Sequence, residues 1–233
     1  MSRILRPLDF QPLPTGRFRT GMFDIPWEFK AGVESRPQHY RRMSRAEIMQ
    51  MNPVRIIHEE GGHLLLWCYG PFTQMMFDAV ASWSRLHGRR IVFSTRYLAW
   101  VKLIERHPGV DAAPILATDF HHGLGLVSQK NLEDLWVFKV GRAPRLKARG
   151  QRELLVSPVR EHSRKPDEAF DRARLTFRGP YVECFSREPR AHWSTWGDES
   201  HYFVEPERRR FVVREIAVAG TNEETMQDVI AKG

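Results

Sequence analysis

Cysteine and long apolar segments are the features that this sequence most clearly lacks. Its 233 residues include two cysteines, Cys68 and Cys184, and both lie in apolar, strand-like segments. We therefore expect two buried thiols in a reducing, cytoplasmic protein rather than a disulfide. The longest apolar run, 64–67, falls far short of the roughly 18 residues of a membrane helix. Residues 1–20 have no apolar segment of the kind found in secretory signals, so neither membrane insertion nor export is predicted.

Histidines and cysteines at metal-ligand spacing are also missing. The segment 58–63, His-Glu-Glu-Gly-Gly-His, differs from the zinc pattern H-E-x-x-H because its histidines are five residues apart rather than four. They would not share a helix face, and the glycine pair is unfavourable for a helix, so a solvated turn is predicted. His121 and His122 are adjacent and have no spaced ligand nearby. No metal cofactor is predicted.

Positive charge, by contrast, is in excess, with a formal net charge of +8 and an isoelectric point near 9.9. Arginine supplies 29 of the 36 basic residues. Because the guanidinium fork matches phosphate, this favours a nucleic-acid partner, DNA or RNA, over a merely basic surface. The segment 142–152 is predicted to bind phosphates rather than to form a plain solvated loop. Its basic residues are Arg142, Arg145, Lys147, Arg149 and Arg152.

Hydrophobic periodicity predicts an α/β fold in one main domain. Helices are predicted over 45–51, 71–86, 166–177 and 221–231, the first from the capping-box pattern Ser44 to Glu47. Strands are predicted over 18–23, 63–69, 91–101, 134–140, 154–157, 181–186 and 211–218. Their alternation implies a largely parallel sheet, with ligands bound beyond the carboxyl ends of the strands. We divide the chain into an irregular arm (1–16), a main domain (17–218) and a tail with a short helix (219–233).

The segment Asp24-Ile25-Pro26-Trp27 follows the first predicted strand. Methyl transfer to an aromatic amine requires the nitrogen lone pair to leave conjugation with the ring. The Asp24 carboxylate and the Ile25 carbonyl are acceptors for the two amino protons, and Pro26 stiffens the turn. Trp27 is placed to stack on a base turned out of its helix. Taken alone, these four residues are better explained as a strand end followed by an ordinary proline turn with a half-buried tryptophan.

Further motifs follow this segment in a fixed order. Asp-Ile-Pro-Trp resembles the Asp-Pro-Pro-Trp signature of the family named for the 70-kDa subunit of messenger-RNA adenosine methyltransferase. The likeness continues over about residues 17–200. The matching segments are His39 to Ile48, Leu64 to Trp67, Trp100 to Lys102, Gly123 to Gly125, Glu133 to Trp136, Arg160 to Glu168, Glu183 to Arg187 and Trp196 to Glu199.

This resemblance implies a Rossmann-like methyltransferase fold with helices on both faces of the sheet, in which the catalytic motif precedes the cofactor motifs. It implies S-adenosyl-L-methionine (SAM) as methyl donor and no metal. The implied cofactor-binding residues are Lys165, Phe185, Ser186, Arg187, Asp198 and Glu199. Lys165, just before a helix, is expected to bind the methionyl carboxylate. The implied substrate-binding residues are Tyr40, Trp67 and Lys102, and the basic segment described above adds Arg142, Arg145 and Arg149 to the predicted substrate contacts. A core role is an equal alternative for Tyr40 and the favoured one for Trp67.

Two departures from the family pattern bear on activity. Ile25 replaces the first proline, which keeps the carbonyl acceptor but loses rigidity. Asp198 replaces a neutral asparagine and can only accept hydrogen bonds. Because Asp24 and Trp27 are retained, we expect an active adenine N6-methyltransferase, acting on DNA in preference to RNA since no accessory RNA-binding module is seen. The alternative is a catalytically silent nucleic-acid-binding subunit, and either a homodimer or a heterodimer is compatible with the sequence.

Overall fold

The computed structural model describes residues 9–28, 42–104, 116–123, 127–128, 130–161, 163–200 and 203. Within these ranges the chain forms a sheet of seven strands. The strands are β1 (Thr20–Phe23), β2 (Gly61–Cys68), β3 (Ile91–Leu103), β4 (Leu132–Gly141), β5 (Leu154–Pro158), β6 (Tyr181–Cys184) and β7 (Trp193–Trp196). The α-helices are α1 (Arg45–Gln50), α2 (Thr73–Leu86) and α3 (Asp167–Thr176). The predicted strand 211–218 and helix 221–231 lie outside the described residues.

Strand direction decides which chain ends meet at each edge of the sheet. The order is β5-β3-β4-β2-β1-β6-β7, and β4 runs antiparallel to both of its neighbours. The other neighbouring pairs are parallel, which confirms the predicted α/β fold with a mostly parallel sheet. The start of β4 therefore lies beside the ends of the other strands. Asp134 pairs with Cys68 at this edge, and Gly141 pairs with Gly61 at the opposite edge.

Helices cover both faces of the sheet, as expected. In β2, Leu66 points to the face packed by α1 and α2, whereas Leu65 and Trp67 point to the face packed by α3. The two-residue period of a strand produces this alternation, and burial on both faces explains the unbroken apolar run. On the first face, Trp83 of α2 is fully buried and its Nε1 donates to the Ile48 carbonyl of α1 at 2.7 Å. This bond joins the two helices.

Local signals set the helix ends close to the predicted positions. The Ser44 hydroxyl accepts from the Glu47 N–H, and the Glu47 carboxylate accepts from the Ser44 N–H, which completes the capping box of α1. α2 begins two residues later than predicted because Gly70–Phe72 form a 3-10 turn before it. α3 begins at Asp167, whose carboxylate is favourable near the positive end of the helix, and Pro166 is its N-cap.

The strand β7 is not predicted from the sequence. Its four residues, Trp-Ser-Thr-Trp, are too few to show a clear alternation, and it lies at the edge of the sheet beside β6. Its two tryptophans are buried, whereas Ser194 is exposed. Tertiary packing of the tryptophans therefore stabilises a strand that local propensity does not specify.

The prediction of a solvated turn over 58–63 is wrong for the second half of that segment. Residues 59–60 form an exposed turn, but β2 begins directly afterwards and buries His63. The His63 ring packs against Phe177 with centroids 4.9 Å apart. Burial lowers its pKa to about 4, so the side chain is neutral at physiological pH.

The described part of the predicted N-terminal arm, residues 9–16, contains no helix or strand but packs into the core. Phe10 is fully buried, and its ring meets Phe23 and Trp196 edge-on at centroid distances of 5.5 and 4.9 Å. Trp196 Nε1 also donates to the Gln11 carbonyl at 2.9 Å. These contacts make residues 9–16 part of the same core as the sheet.

Candidate active site

Four charged side chains meet at the sheet edge where β1, β2 and β6 end. Asp24 follows β1, Lys102 lies near the end of β3, and Glu133 lies near the start of the antiparallel β4. Each is two residues from a side chain buried on the α3 face, so strand alternation directs it to that face. Lys165 belongs to the segment that leads into α3. The fold therefore gathers the four groups from four separate segments.

The four charges alternate in sign and form a continuous chain of ion pairs. Lys102 Nζ lies 2.6 Å from Glu133 Oε1, Glu133 Oε2 lies 3.2 Å from Lys165 Nζ, and Lys165 Nζ lies 2.8 Å from Asp24 Oδ2. Lys165 Nζ also faces the Ser163 carbonyl at 3.4 Å. The Asp24 side chain keeps 23% of its surface exposed, compared with 4% for Lys165. Asp24 is therefore the member of the chain most open to a substrate.

The two carboxylates of this chain are shifted in opposite directions. Burial raises the pKa of Asp24, and the neighbouring Lys165 opposes this shift without cancelling it. Burial also disfavours the charged form of Glu133, but Lys165 and Lys102 together outweigh it and lower its pKa to about 2. Glu133 is therefore a permanent anion between two lysines, whereas Asp24 is the carboxylate whose charge responds to its surroundings.

The backbone after Asp24 forms a tight turn. The Trp27 N–H donates to the Ile25 carbonyl at 2.9 Å, and the Met43 N–H donates to the Pro26 carbonyl at 2.8 Å. The Ile25 side chain is buried in the core on the α1 and α2 face. Since a carbonyl oxygen has two lone pairs, Ile25 retains one acceptor site.

Trp27 packs as a core residue in this structure. Its ring stacks on Phe72 with centroids 5.5 Å apart and planes 12° apart, and 7% of the residue is exposed. A base can therefore stack on Trp27 only if the side chains around it move, Phe72 first.

Trp67 lies below the charged chain on the α3 face. Its ring is buried, meets Trp100 edge-on at 6.3 Å, and lies 5.7 Å from Lys165 Nζ. Lys102 Nζ lies 4.9 Å from the Trp100 ring. Each lysine thus packs against an indole ring, which is apolar and also attracts the ammonium through a cation–π interaction. Trp67 belongs to the core, the alternative that the sequence favours for it.

The end of β6 contributes the predicted Phe185 and Ser186. Phe185 has a φ of 62°, a left-handed conformation that is uncommon for a bulky residue. Ser186 is buried, and its hydroxyl donates to the Glu188 carbonyl at 2.7 Å. The Ser186 hydroxyl also lies 3.1 Å from Glu183 Oε2. Burial raises the pKa of Glu183 to about 7, although Arg190 opposes the shift.

The remaining predicted cofactor residues lie on either side of β7, with Arg187 before it and Asp198 and Glu199 after it. Arg187 Nε donates to Glu199 Oε2 at 2.8 Å, and the Arg187 guanidinium lies 4.6 Å from the Phe203 ring. Asp198 is exposed. Arg187 and Glu199 thus form one pair at the same sheet edge as Asp24, since β6 and β7 both end there.

A network of buried ions holds the segment that carries Lys165. Arg164 Nη2 lies 2.5 Å from Glu188 Oε2, and Arg190 Nη2 lies 2.5 Å from Glu188 Oε1. Arg160 and Arg190 both donate to the Lys165 carbonyl. Because these side chains are nearly buried, breaking one pair would leave an uncompensated charge. The network therefore fixes the backbone of Lys165 against the end of β6.

The predicted basic residues Arg142, Arg145 and Arg149 are not brought to this site. They are exposed and follow Gly141, at the edge of the sheet opposite Asp24. β2 separates the two edges by seven residue steps, which is about 23 Å. Because β4 runs antiparallel, the segment that follows it begins at the edge opposite Asp24. Whether these arginines bind phosphates stays a prediction. Tyr40 lies outside the described residues.

Glu133 belongs to the ion-pair chain but is not predicted as a site residue from the sequence. Sites are expected at the carboxyl ends of strands, whereas Glu133 lies near the start of β4. Lys102, predicted to bind substrate, is instead paired with Glu133. A carboxylate at the start of a strand, two residues before the buried Leu135, becomes informative only when the direction of that strand is known.

Neither a metal-binding cluster nor a membrane-spanning helix is found in the described part of the chain. No cluster of histidine, cysteine, aspartate and glutamate there has the arrangement of a metal site. None of the helices within the described ranges is long and apolar enough to cross a membrane.

Comparison with known proteins agrees with the fold and with the position of the motifs. A search of curated proteins gives no significant match. The model of the MT-A70 family matches residues 18–199, which is more than half of the chain and includes every member of the ion-pair chain. The chain therefore belongs to the MT-A70 family, the Rossmann-like methyltransferase family of the 70-kDa subunit of mRNA adenosine methyltransferase.

Proposed function

We propose that this protein transfers a methyl group from SAM to the exocyclic amino group of adenine in nucleic acid, and that DNA is its substrate. The observation that carries the proposal is the Asp24 carboxylate, held at Oδ2 by Lys165 Nζ at 2.8 Å and still partly open. It begins the Asp-Ile-Pro-Trp motif in a member of an adenine methyltransferase family.

The chemistry follows from the acceptors at this turn. Among the described residues, Asp24 has a partner at Oδ2, which leaves Oδ1 to accept one amino proton of adenine. The free lone pair of the Ile25 carbonyl accepts the second. These bonds favour a pyramidal nitrogen whose lone pair forms the new C–N bond as the sulfonium C–S bond breaks. The methylated amine then loses one proton, first to Asp24 and from there to water.

The charged chain also suits SAM, which supplies a methyl group activated by a sulfonium. The methionyl end of SAM is a zwitterion, and a cluster of alternating lysines and carboxylates offers partners for both of its charges. Lys165 is the proposed partner of the methionyl carboxylate of SAM. To bind there, this carboxylate must replace one of the contacts that Lys165 makes to Asp24, Glu133 or Ser163. Phe185 and Ser186 would lie along the cofactor.

The adenosine end of SAM requires acceptors for the ribose hydroxyls. We propose Asp198 and Glu199 for this role, since acidic residues bind ribose in dinucleotide sites. Glu199 is held by Arg187 at 2.8 Å, whereas Asp198 is exposed. Arg187 therefore acts on the cofactor by orienting Glu199.

The basic residues at the opposite edge of the sheet suit a long substrate. We propose that Arg142, Arg145 and Arg149 bind phosphates about 23 Å from the target base. Such a contact spans about seven base pairs at roughly 3.4 Å each. A stiff duplex reaches both sites without folding back, which supports double-stranded DNA over a short single strand. Within this proposal the target adenine is turned out of the duplex, and Trp27 and Tyr40 are its stacking partners.

The central experiment is incubation of the protein with methyl-labelled SAM and separate single- and double-stranded DNA and RNA, followed by nucleoside analysis. Labelled N6-methyladenine in DNA is the expected product. Label only in RNA would make the protein an RNA methyltransferase. Binding of nucleic acid without any label would favour the alternative, a catalytically silent subunit.

A matched pair of variants tests the role of Asp24. Asp24→Asn removes the carboxylate, and it should reduce turnover by about a hundredfold or more, the usual effect of losing one preorganised partner. Asp134→Asn is the control, because Asp134 lies at the same edge but pairs with Arg96 at 3.5 Å. If Asp24→Asn lowers turnover no more than Asp134→Asn does, Asp24 is not the catalytic carboxylate.

A further inference from the structure

We propose that Lys102 and Glu133 are a positioning pair for the catalytic centre. Lys102 holds Glu133 against Lys165, and Glu133 holds Lys165 on one oxygen of Asp24, so that the other oxygen stays directed at the substrate amine. Neither residue touches the reacting atoms. The proposal rests on the proposed function of Asp24, but it concerns a geometry that can be measured without turnover.

The geometry of Glu133 supports a bridging role. Its two carboxylate oxygens are divided between two lysines, with Oε1 at 2.6 Å from Lys102 and Oε2 at 3.2 Å from Lys165. The Lys102 and Glu133 side chains are each 15% exposed, so neither is a freely solvated surface charge. Since two lysines outweigh the cost of burial, Glu133 remains an anion at all physiological pH values. A fixed anion at this point restricts where the Lys165 ammonium can lie.

Glu133 is linked to Asp24 through a single atom, Lys165 Nζ. Glu133 Oε2 and Asp24 Oδ2 bind the same nitrogen, at 3.2 and 2.8 Å, so they are at most about 6 Å apart. Without Glu133, the Lys165 donor that Glu133 engages can turn toward the other oxygen of Asp24. The oxygen intended for adenine would then be engaged. This is why we assign a positioning role to Glu133 rather than a role in stability only.

Among the described residues, the charged groups around Asp24 raise or lower its pKa according to their sign. Lys165 from the segment before α3 and Lys102 from β3 lower its pKa, whereas Glu133 from β4 raises it. Glu183 from β6 is also coupled to Asp24, since the Asp24 charge raises the pKa of Glu183. Loss of the Glu133 charge should therefore lower the Asp24 pKa, and loss of the Lys102 charge should raise it.

The experiment is a pH titration followed by 13C NMR of protein labelled at the aspartate carboxyl carbons. The Asp24 resonance is identified by its loss in Asp24→Asn. Glu133→Gln should shift the Asp24 pKa downward by about half a unit or more, and Lys102→Met should shift it upward. In the Glu133→Gln background the shift from Lys102→Met should be smaller than in the unaltered protein, because only the direct attraction between Lys102 and Asp24 then remains and the part transmitted through Glu133 is lost.

The controls separate a positioning role from a general loss of charge or structure. Lys102→Arg keeps the charge and should leave the Asp24 pKa near its original value. Lys139→Met removes an exposed lysine near the other end of β4 and should have no effect. If Glu133→Gln does not fold, Glu133→Asp shortens the bridge, and a smaller downward shift is expected.

The outcomes are distinct. Shifts of opposite sign that are not additive support the positioning pair. Additive shifts would mean that Lys102 acts on Asp24 without Glu133, and unchanged values in both folded variants would mean that the pair has no influence on Asp24; either result overturns the proposal. Absence of methylation by the unaltered protein would refute the proposed function and would leave the titration result standing.

Discussion

Replacement of Lys165 by methionine should destabilise the protein more at high pH than at low pH. The substitution keeps an apolar stem about as long as that of lysine but removes the ammonium. In the unaltered protein the ammonium nitrogen lies 2.8 Å from Asp24 Oδ2 and 3.2 Å from Glu133 Oε2. Breaking a buried ion pair costs about 3–5 kcal/mol. We expect the lower end of this range, about 3 kcal/mol, near pH 8, because Asp24 is partly exposed and Glu133 keeps Lys102.

The pH dependence follows from the sign of the Asp24 shift. Its folded-state pKa is already raised above 3.8, so its contribution to stability is most favourable at low pH and is lost as pH rises through the folded value. Lys165→Met raises that folded value further, and protonated Asp24 needs no cation. The destabilisation should therefore be smaller near pH 5 than near pH 8.

Urea unfolding followed by tryptophan fluorescence, near pH 8 and near pH 5, measures the free energy of unfolding of the variant and of the unaltered protein. Lys139→Met, an exposed lysine, is the control and should change stability by less than about 0.5 kcal/mol. The double variant Lys165→Met/Asp24→Asn should recover part of the loss, because it removes both charges of the pair. A destabilisation of the same size at both pH values would refute the reasoning.

Three further predictions concern other parts of the molecule. His63 is buried in its neutral form, with a pKa of about 4 in the folded protein against 6.5 when unfolded. The free energy of unfolding should therefore decrease by up to about 3 kcal/mol as the pH falls from 6.5 to 4, and His63→Leu should abolish this decrease in urea titrations. Replacing Arg142, Arg145 and Arg149 with glutamine should lower the salt dependence of duplex binding by about 0.9 in slope per lost phosphate contact, and an unchanged slope in fluorescence anisotropy would exclude phosphate binding there. Ile25→Pro keeps the carbonyl acceptor but shrinks a buried side chain, so methylation should persist while chemical denaturation shows a loss of about 1–2 kcal/mol; complete loss of methylation would reveal a role for the Ile25 N–H.

The elements that the sequence predicts well are those whose signals are local. The capping box of Ser44 and Glu47 forms as expected because its two bonds join residues three apart. The helix α2 is recognisable from apolar side chains such as Met76 and Trp83, which face the sheet at helical spacing. The strand β2 is recognisable as an apolar run bounded by turn residues. In each case the segment itself contains the pattern that stabilises it.

The family motif at the end of β1 is recognisable in the sequence, but its surroundings are not. The Asp-Ile-Pro-Trp segment and its family are readable because they are contiguous residues in a known order. The sequence does not predict that Lys165 contacts Asp24, 141 positions earlier in the chain. It also does not predict that the Trp27 ring packs on Phe72. Both contacts join distant segments, which no local pattern encodes.

By itself the sequence determined the family, the positions of most helices and strands, and the residue types available for methyl transfer. The tertiary structure decided the direction of β4, and this direction had two consequences. It brought Glu133 to the edge that carries Asp24, and it sent the basic segment after Gly141 to the opposite edge. The physical reason is that residues in a strand alternate between faces in the same way whichever direction the strand runs. Which end of β4 meets the edge that carries Asp24 is set by its hydrogen bonds to β2 and β3, and these form only when the sheet assembles.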